Sequence, residues 1–481
     1  MHSSALTVTD LRCENDHRPL GIDAPQPRLR WRLESDARGQ GQTAYRVMAA
    51  TTAELLAAGS PDLWDTGKID SDAQEVLYGG PPLIAAQRVF WTVQIGDSLG
   101  QEAAPAEPSS FEMGLLAPGD WGGYWIGSGE EADSAMAPLL RRIFTLDRAV
   151  VSARAYVCGL GYHELSVNGQ KASDHVLDPA FTRYDRRALY VTHDITPLLQ
   201  PGENVFGVVL GNSFFNALHA DAWKFEKAPW KASPRLLFDA RITHDDSTVT
   251  RIASDREWKV GPGPITYNYV RTGESYDARR ERTGWNRPGY RDTDWLPARP
   301  VEAPAGRVTA QRLPPCRVTA TWPAAAVEKG GEGTRVFDMG RNLAGWARLT
   351  AQGTAGSAIT LRYAELCDAQ GKPDQRNINS LVTSARFQTD EYVLRGDRAG
   401  ETYEPSFVYH GFRYVEVSAP AETAVRLEAR EVHTDFAAAG RFRCSSELLN
   451  TIQELTLRSY VSNFVGIPTD CPHRGKKRLD G

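Results

Sequence analysis

Residues 89–95 have the sequence VFWTVQI, in which Val, Trp, Val and Ile alternate with Phe, Thr and Gln. Residues 45–50, YRVMAA, carry a similar pattern. A period of two residues indicates half-buried strands. Clusters of turn-forming residues separate such runs at 36–41, 67–72 and 79–82. This regular spacing predicts a small β-sandwich, of immunoglobulin-like or fibronectin-like type, over residues 1–115.

Two further β segments are predicted after a Gly- and Pro-containing linker at 115–137. Alternating runs such as 153–157 and 204–210 predict a larger second sandwich over 135–310. A Pro-rich stretch precedes the third segment, 316–430. Its predicted strands lie around 334–338, 345–351, 359–363, 389–394 and 414–418.

The pattern changes from strand to helix near residue 440. Ser445 and Ser446 can cap a helix over 447–463, which has apolar residues mostly three or four positions apart. An isolated helix of this length is only marginally stable in water. It is therefore predicted to be the first helix of a helical domain over 438–481.

Composition excludes several classes of function. The net charge of −5 gives no basic surface for nucleic acid. The sequence shows neither a secretory leader nor an apolar run long enough to span a bilayer, so no membrane association and a cytoplasmic location are expected. The six cysteines lack metal-ligand spacing and are expected to be buried free thiols, with no metal and no cofactor.

Several longer motifs extend from the first β segment to the end of the chain. They are WDTGK (64–68), YWIG (124–127), GLGYHEL (159–165), VNG (167–169), LDPAFT (177–182), LGN (210–212), GESYDAR (273–279), FDMGRNLAGW (337–346), RYAE (362–365), YHGFRY (409–414) and IPTDCPHR (467–474). In order and spacing these motifs resemble those of the bacterial α-L-rhamnosidases, glycoside hydrolase family 78. The resemblance covers almost the whole chain.

The resemblance implies a fold for each segment. Residues 135–310 would form the family's jelly-roll domain, and 316–430 its concanavalin-like β domain. Residues 438–481 would begin the (α/α)6 catalytic barrel, which is truncated here. The expected fold class is mainly β, with tandem β-sandwich domains followed by the first barrel helix.

The resemblance also implies the reaction, which is hydrolysis of terminal α-L-rhamnose with inversion by two barrel carboxylates. Such carboxyl groups lie roughly 6.5 to 9.5 Å apart, with a water molecule between them. The family's general acid follows the motif that ends at Arg474, where this chain has Gly475 and Lys476. A lysine cannot replace a protonated carboxylic acid. We therefore assign no catalytic residue and expect the truncated chain to be inactive.

Two residues are carried over from the family as substrate-binding residues. Asp470 and Arg474 match positions that hydrogen-bond the hydroxyl groups of rhamnose, although a structural ion pair is an alternative. The expected partner is a rhamnose-containing glycoside or oligosaccharide. The tail 474–481 departs from the family, which a one-base insertion near codon 474 or a fragment boundary would explain.

Each of the other candidate sites has a structural interpretation as well as a functional one. Trp223, Trp230 and Phe215 could form a sugar platform, although packing is favoured. Asp174 and Asn212 could offer oxygen ligands to calcium, but His175 argues against this. We interpret Glu365 and Asp338 as structural. We interpret the run 330–333 as a turn, because it lacks the residues of a phosphate-binding loop.

Two alternative functions and one assembly state remain open. The chain could be a non-catalytic rhamnose-binding protein, which would bind sugar without turnover. It could also have drifted to uronate lyase chemistry, which nothing in the sequence favours. The apolar stripe of helix 447–463 predicts a homo-oligomer or aggregation unless residues 447–481 are removed.

Overall fold

The computed structural model of the chain is mainly β in fold class, as the sequence predicts. It divides into two units, Met1–Trp121 and Gly122–Gly481. Neither of the two α-helices in the described residues is long and apolar enough to cross a membrane. The structure describes residues 6–98, 100–129, 134–221, 223–329, 333–376, 378, 382 and 384–473.

The first unit contains two sheets, with strand orders β1-β2-β6 and β4-β3-β7-β8, and β5 pairs with β3. The elements are β1 (Thr7–Cys13), β2 (Arg28–Glu34), β3 (Gln42–Ala50), α1 (Ala53–Ala57), β4 (Trp64–Asp65), β5 (Ile69–Asp70), β6 (Glu75–Leu77), β7 (Arg88–Asp97) and β8 (Ser109–Glu112).

Alternation along β7 builds the core of this unit. Val89, Trp91 and Val93 are fully buried on one face of the strand. Trp31 of β2 also lies in this core, where its ring meets Tyr45 edge-on at 5.3 Å. Fully burying an apolar side chain contributes roughly 1.5 to 3 kcal/mol, so these residues hold the two sheets together.

The second unit begins with a pair of larger sheets. Their orders are β13-β12-β15-β10-β18-β21 and β22-β9-β16-β11-β14-β23, with β17 paired to β16. The strands up to residue 310 are β9 (Ile126–Gly127), β10 (Pro138–Leu146), β11 (Val150–Leu160), β12 (Tyr162–Val167), β13 (Gln170–Lys171), β14 (Arg187–Asp194), β15 (Gly202–Gly211), β16 (Arg235–His244), β17 (Val249–Ala253), β18 (Lys259–Pro262), β19 (Ile265–Tyr269), β20 (Gly273–Asp277), β21 (Leu296–Pro297), β22 (Arg299–Pro300) and β23 (Arg307–Ala310).

A ten-stranded sheet follows, with the order β19-β20-β30-β27-β32-β26-β33-β24, and β25 and β31 also pair with β26. A separate hairpin joins β28 and β29. The remaining strands of this region are β24 (Cys316–Pro323), β25 (Ala326–Lys329), β26 (Thr334–Gln352), β27 (Ala358–Ala364), β28 (Leu366–Cys367), β29 (Pro373–Asp374), β30 (Thr389–Val393), β31 (Glu401–Tyr403), β32 (His410–Ser418) and β33 (Ala424–Thr434).

Strands β19 and β20 join a different sheet from their sequence neighbours. The range 135–310 places them with the jelly roll, but β20 runs parallel to β30, with Ser275 opposite Glu391. Alternation in a sequence identifies a strand and does not identify its partner. This exchange connects the jelly-roll sheets to the ten-stranded sheet inside one unit.

The chain becomes helical at α2 (Glu447–Ser462), close to the predicted bounds. Ser446 is the N-cap, and its Oγ accepts a hydrogen bond of 3.5 Å from the Leu449 amide. No residue of α2 is buried, and Leu448 is 69% exposed. The hairpin of β34 (Phe464–Val465) and β35 (Ile467–Pro468) follows.

Candidate functional site

The segment that follows α2 carries the predicted substrate-binding residue Asp470. The amide of Gly466, in the hairpin turn, donates a 3.0 Å hydrogen bond to Thr434 Oγ1 at the end of β33. The Thr469 amide donates to the Asn463 carbonyl at 2.8 Å. Asp470 is exposed, and its Oδ1 accepts from the Cys471 amide at 2.9 Å. This geometry fixes the backbone at Asp470 and leaves its side chain accessible to a ligand.

Three residues after Asp470, His473 is buried beside an acidic side chain. Its Nδ1 lies 3.3 Å from Glu365 Oε1, and Glu365 also accepts a 2.9 Å hydrogen bond from Asn342. Burial alone would lower the pKa of His473, but its contacts with Cys471 and Glu365 raise that pKa to about 9. His473 is therefore cationic at neutral pH, and its ion pair ties the segment to the ten-stranded sheet.

Close packing at Gly411 holds the same segment against β32. A Cβ at this position would lie 2.7 Å from Pro472 Cγ and 3.1 Å from the His473 nitrogen. The Gly411 amide donates to Gln388 Oε1 at 2.8 Å, and Gln388 Nε2 donates back to the Gly411 carbonyl at 3.2 Å. Only glycine allows the two backbones to approach this closely.

A polar network lies buried beneath this contact. His410 Nε2 is 3.0 Å from Asp390 Oδ2, and the ring of Tyr363 stacks on His410 with centroids 4.0 Å apart. Asp390 also accepts a 2.9 Å hydrogen bond from the Glu274 amide. Although burial opposes it, the charge of His410 keeps the pKa of Asp390 below its usual value.

The pKa of Glu274 is shifted in the opposite direction from that of Asp390. Burial, followed by the Asp390 charge, raises the pKa of Glu274 to about 8. Two carboxyl groups with separated pKa values suggest an acid and base pair. Both side chains are fully buried, and Glu274 is enclosed by the amides of Ser406 and Phe407. No substrate can reach them, so we assign the pair to the scaffold.

The aromatic residues considered as a sugar platform are used in packing. Phe215 is buried, and Trp230 donates its indole hydrogen to the Phe214 carbonyl at 3.2 Å. The guanidinium of Arg271 lies 4.3 Å from the Trp223 ring centroid. Arg271 is itself buried and pairs with Asp221 at 3.1 Å. Packing, the alternative favoured by the sequence, therefore accounts for these rings.

The candidate calcium ligands are also engaged elsewhere. Asp174 pairs with Arg317 at 2.8 Å. Asn212 is buried and donates to the carbonyls of Ala135 and Asn268. Throughout the described part of the chain, no three His, Cys, Asp or Glu side chains are arranged to hold a metal ion.

Asp338 and the cysteines have structural settings. Asp338 accepts hydrogen bonds from Arg413 at 2.8 and 2.9 Å and from the Gly340 amide at 2.7 Å, so it has a structural role in β26. All six thiols are free. Cys13, Cys158 and Cys316 are buried as expected, whereas the other three are half-buried because they lie in loops or in a short hairpin at the surface. Of the predicted turn 330–333, residues 330–332 lie outside the described part.

Comparison with protein families assigns nearly every part of the chain. Residues 8–117 match the Rha78A-like N-terminal immunoglobulin domain, and 148–320 match the alpha-L-rhamnosidase N-terminal domain. Residues 328–434 match the bacterial alpha-L-rhamnosidase concanavalin-like domain, and 437–478 match its six-hairpin glycosidase domain. The chain belongs to the bacterial α-L-rhamnosidase family.

Individual rhamnosidases are similar over almost the whole chain. An alpha-L-rhamnosidase of Formosa agariphila is 32% identical over 95% of this chain and 51% of its own length. The structure of the Dictyoglumus thermophilum enzyme has a TM-score of 0.91 at 34% identity, covering 98% of this chain and 54% of that one. The Streptomyces avermitilis enzyme, crystallised with L-rhamnose, also has a TM-score of 0.91, at 26% identity, covering 98% of this chain and 61% of that one. The chain thus spans about half the length of the first relatives it matches.

Membership of the rhamnosidase family does not test the two residues predicted to bind substrate, so both stay predictions. Asp470 is exposed in the six-hairpin segment, and Arg474 lies outside the described residues. Sequence reasoning did not identify the pair of His473 and Glu365, which lie 108 positions apart. The available signal was that each residue belongs to a family motif, IPTDCPHR and RYAE respectively.

Proposed function

We propose that this chain supplies the β domains and the first part of the catalytic barrel of an α-L-rhamnosidase that removes terminal α-L-rhamnose with inversion. The observation that carries the proposal is the exposed Asp470, held on a fixed backbone within the six-hairpin segment 437–478. An accessible carboxylate can accept hydrogen bonds from sugar hydroxyls, and charge-assisted bonds are roughly twice as strong as neutral ones.

The residues around Asp470 would position it and would take no direct part in bond cleavage. The ion pair of His473 with Glu365 and the close packing at Gly411 hold the segment on the ten-stranded sheet. The two inverting carboxylates would come from barrel segments that follow the motif. Gly475 and Lys476 occupy the place of the family's acid, so a polypeptide of these 481 residues is proposed to be inactive.

The first test is to sequence the gene across codon 474 and several hundred bases beyond. An open frame with a Glu codon soon after Arg474 and a six-hairpin continuation would support a rhamnosidase. Its product should release p-nitrophenol from p-nitrophenyl α-L-rhamnopyranoside, whereas the 481-residue polypeptide should not. Proton NMR of the first sugar released should show the β-anomer, and initial release of the α-anomer would contradict inversion.

The role of Asp470 can then be tested in the active protein. Asp470→Asn keeps the shape but removes the charge, and losing a hydrogen bond to a charged group costs about 1.5 to 3 kcal/mol. The specificity constant for the rhamnoside should fall at least about tenfold. The exposed Asp245→Asn is the matched control and should have no effect. If Asp470→Asn and wild type were equally active, Asp470 would not be a substrate-binding residue.

The second candidate is a non-catalytic carbohydrate-binding protein, favoured by Lys476 at the position of the acid. It predicts binding of rhamnosides by the 481-residue polypeptide without turnover. A genuine stop codon after residue 481, with no barrel sequence in any downstream frame, would favour the carbohydrate-binding hypothesis over the rhamnosidase.

A further inference from the structure

A cleft of about 560 Å³ opens between the jelly-roll sheets and the ten-stranded sheet. One wall comes from the region of β12 and β13, including Glu164, Lys171 and His175. The other comes from β24, β26 and β33, including Trp346 and Arg430. Small-molecule sites in proteins occupy roughly 300 to 1,000 Å³ and occur preferentially between domains. The cleft therefore has the size and the place of a ligand site.

Charged side chains on the walls are held in fixed positions by one another. Glu404 Oε2 accepts from Arg430 Nε at 2.8 Å and from Trp346 Nε1 at 2.9 Å. On the facing wall Lys171 Nζ lies 2.9 Å from Glu164 Oε2. Because each charge already has an opposite partner, neither sign dominates the cleft. Such a surface offers oriented donors and acceptors without a strong pull on ions.

The cleft adjoins a small chamber of about 10 Å³, which shares Glu164, Lys171 and His175 with it and is also lined by two buried histidines. His163 is 3% exposed and His193 is 5% exposed, and the Nε2 atom of each has no hydrogen-bond partner among the described residues. His175, which lines both spaces, binds Asp178 through Nδ1 at 2.8 Å.

Unpaired buried nitrogen atoms of this kind cost about 1 to 3 kcal/mol each. Burial lowers the pKa of His163 to about 4 and that of His193 to about 3, so both rings are neutral at physiological pH. A neutral imidazole can donate at one nitrogen and accept at the other. The chamber is about the size that one water molecule or one hydroxyl group needs.

We propose that this cleft binds a neutral pyranose unit of a glycoside, with one sugar hydroxyl at the mouth of the histidine chamber. The hydroxyl groups of the sugar would form hydrogen bonds with the carboxylate of Glu404, which Arg430 and Trp346 already hold in position, and with the guanidinium of Arg430. An anionic ligand would gain little from the walls, because the cations Lys171 and Arg430 are already paired with Glu164 and Glu404. This inference concerns binding only and does not rest on the hydrolytic activity proposed above.

The test is titration calorimetry of the 481-residue polypeptide with methyl α-L-rhamnopyranoside, methyl α-D-glucopyranoside and methyl β-D-galactopyranoside, with sodium D-galacturonate as the charged comparator. Thr319→Trp, at an exposed position that lines the cleft, should fill it without disturbing the fold. Thr350→Trp, exposed on β26 and outside the cleft lining, is the matched control. Glu404→Gln tests the chemistry of the wall, and circular dichroism checks that each variant is folded.

We expect at least one neutral glycoside to bind wild type and Thr350→Trp equally, and to bind Thr319→Trp and Glu404→Gln at least about tenfold more weakly. Three results would overturn the proposal: no binding of any neutral glycoside, unchanged binding by Thr319→Trp, or stronger binding of galacturonate than of every neutral glycoside. Absence of rhamnosidase turnover in the longer gene product would refute the proposed function and leave this binding result unaffected.

Discussion

Replacing Glu274 by glutamine should change how the stability of the second unit depends on pH. The folded-state pKa of Glu274 is raised from 4.5 to about 8, first by burial and then by the charge of Asp390. Between these values the unfolded chain releases the proton while the folded protein keeps it. The unfolded state is therefore favoured increasingly as pH rises from 4.5 to about 8.

Each unit of pKa difference corresponds to 1.36 kcal/mol, so Glu274 would cost the folded state up to about 5 kcal/mol by pH 8 and almost nothing below pH 4.5. Glu274→Gln resembles the protonated form and does not titrate. Its free energy of unfolding relative to wild type should therefore increase steadily between about pH 5 and pH 8.

Urea unfolding of wild type and variant at several pH values measures this difference. Glu422→Gln, at an exposed position, is the control and should run parallel to wild type. If the Glu274→Gln curve were also parallel to wild type, the buried carboxyl would titrate alike in both states, and the reasoning would be wrong.

Three further predictions concern other parts of the chain. Acidification from pH 6.5 to about 4 should destabilise the second unit, because the unfolded chain takes up a proton that buried His163 resists; His163→Gln should lose less stability in urea over this range. Gly345→Ala should lower the free energy of unfolding by more than about 3 kcal/mol, because φ at this glycine is 147° and a Cβ would lie 1.9 Å from the Arg430 carbonyl oxygen. Gly440→Ala, at a position with open space around it, is the control and should change the free energy of unfolding by about 0.5 kcal/mol or less. Light scattering should show that the 481-residue polypeptide self-associates through the exposed face of α2 and that removing residues 447–481 abolishes this, while a clean monomer of the intact polypeptide would contradict the prediction.

Short-range pattern in the sequence was enough to predict several of the longer strands and the helix near the end of the chain. The alternation at 89–95 appears as β7, and the helical spacing after Ser446 appears as α2 within one residue of the prediction. These predictions succeed because strand and helix periods are local properties of the chain. The family motifs extended the prediction to the fold class and to Asp470 as a candidate binding residue.

The contacts that shape the candidate sites depended on the tertiary structure. The pairing of β20 with β30 joins residues more than a hundred positions apart, and the same holds for His473 and Glu365. The cleft and its histidine chamber arise only where the jelly-roll sheets meet the ten-stranded sheet. Burial and charge at such junctions set the pKa values of Glu274, His163 and His473. The sequence by itself determined the elements and the residue types at the sites, and the tertiary structure decided their partners, because a local period contains no information on which distant segment will face it.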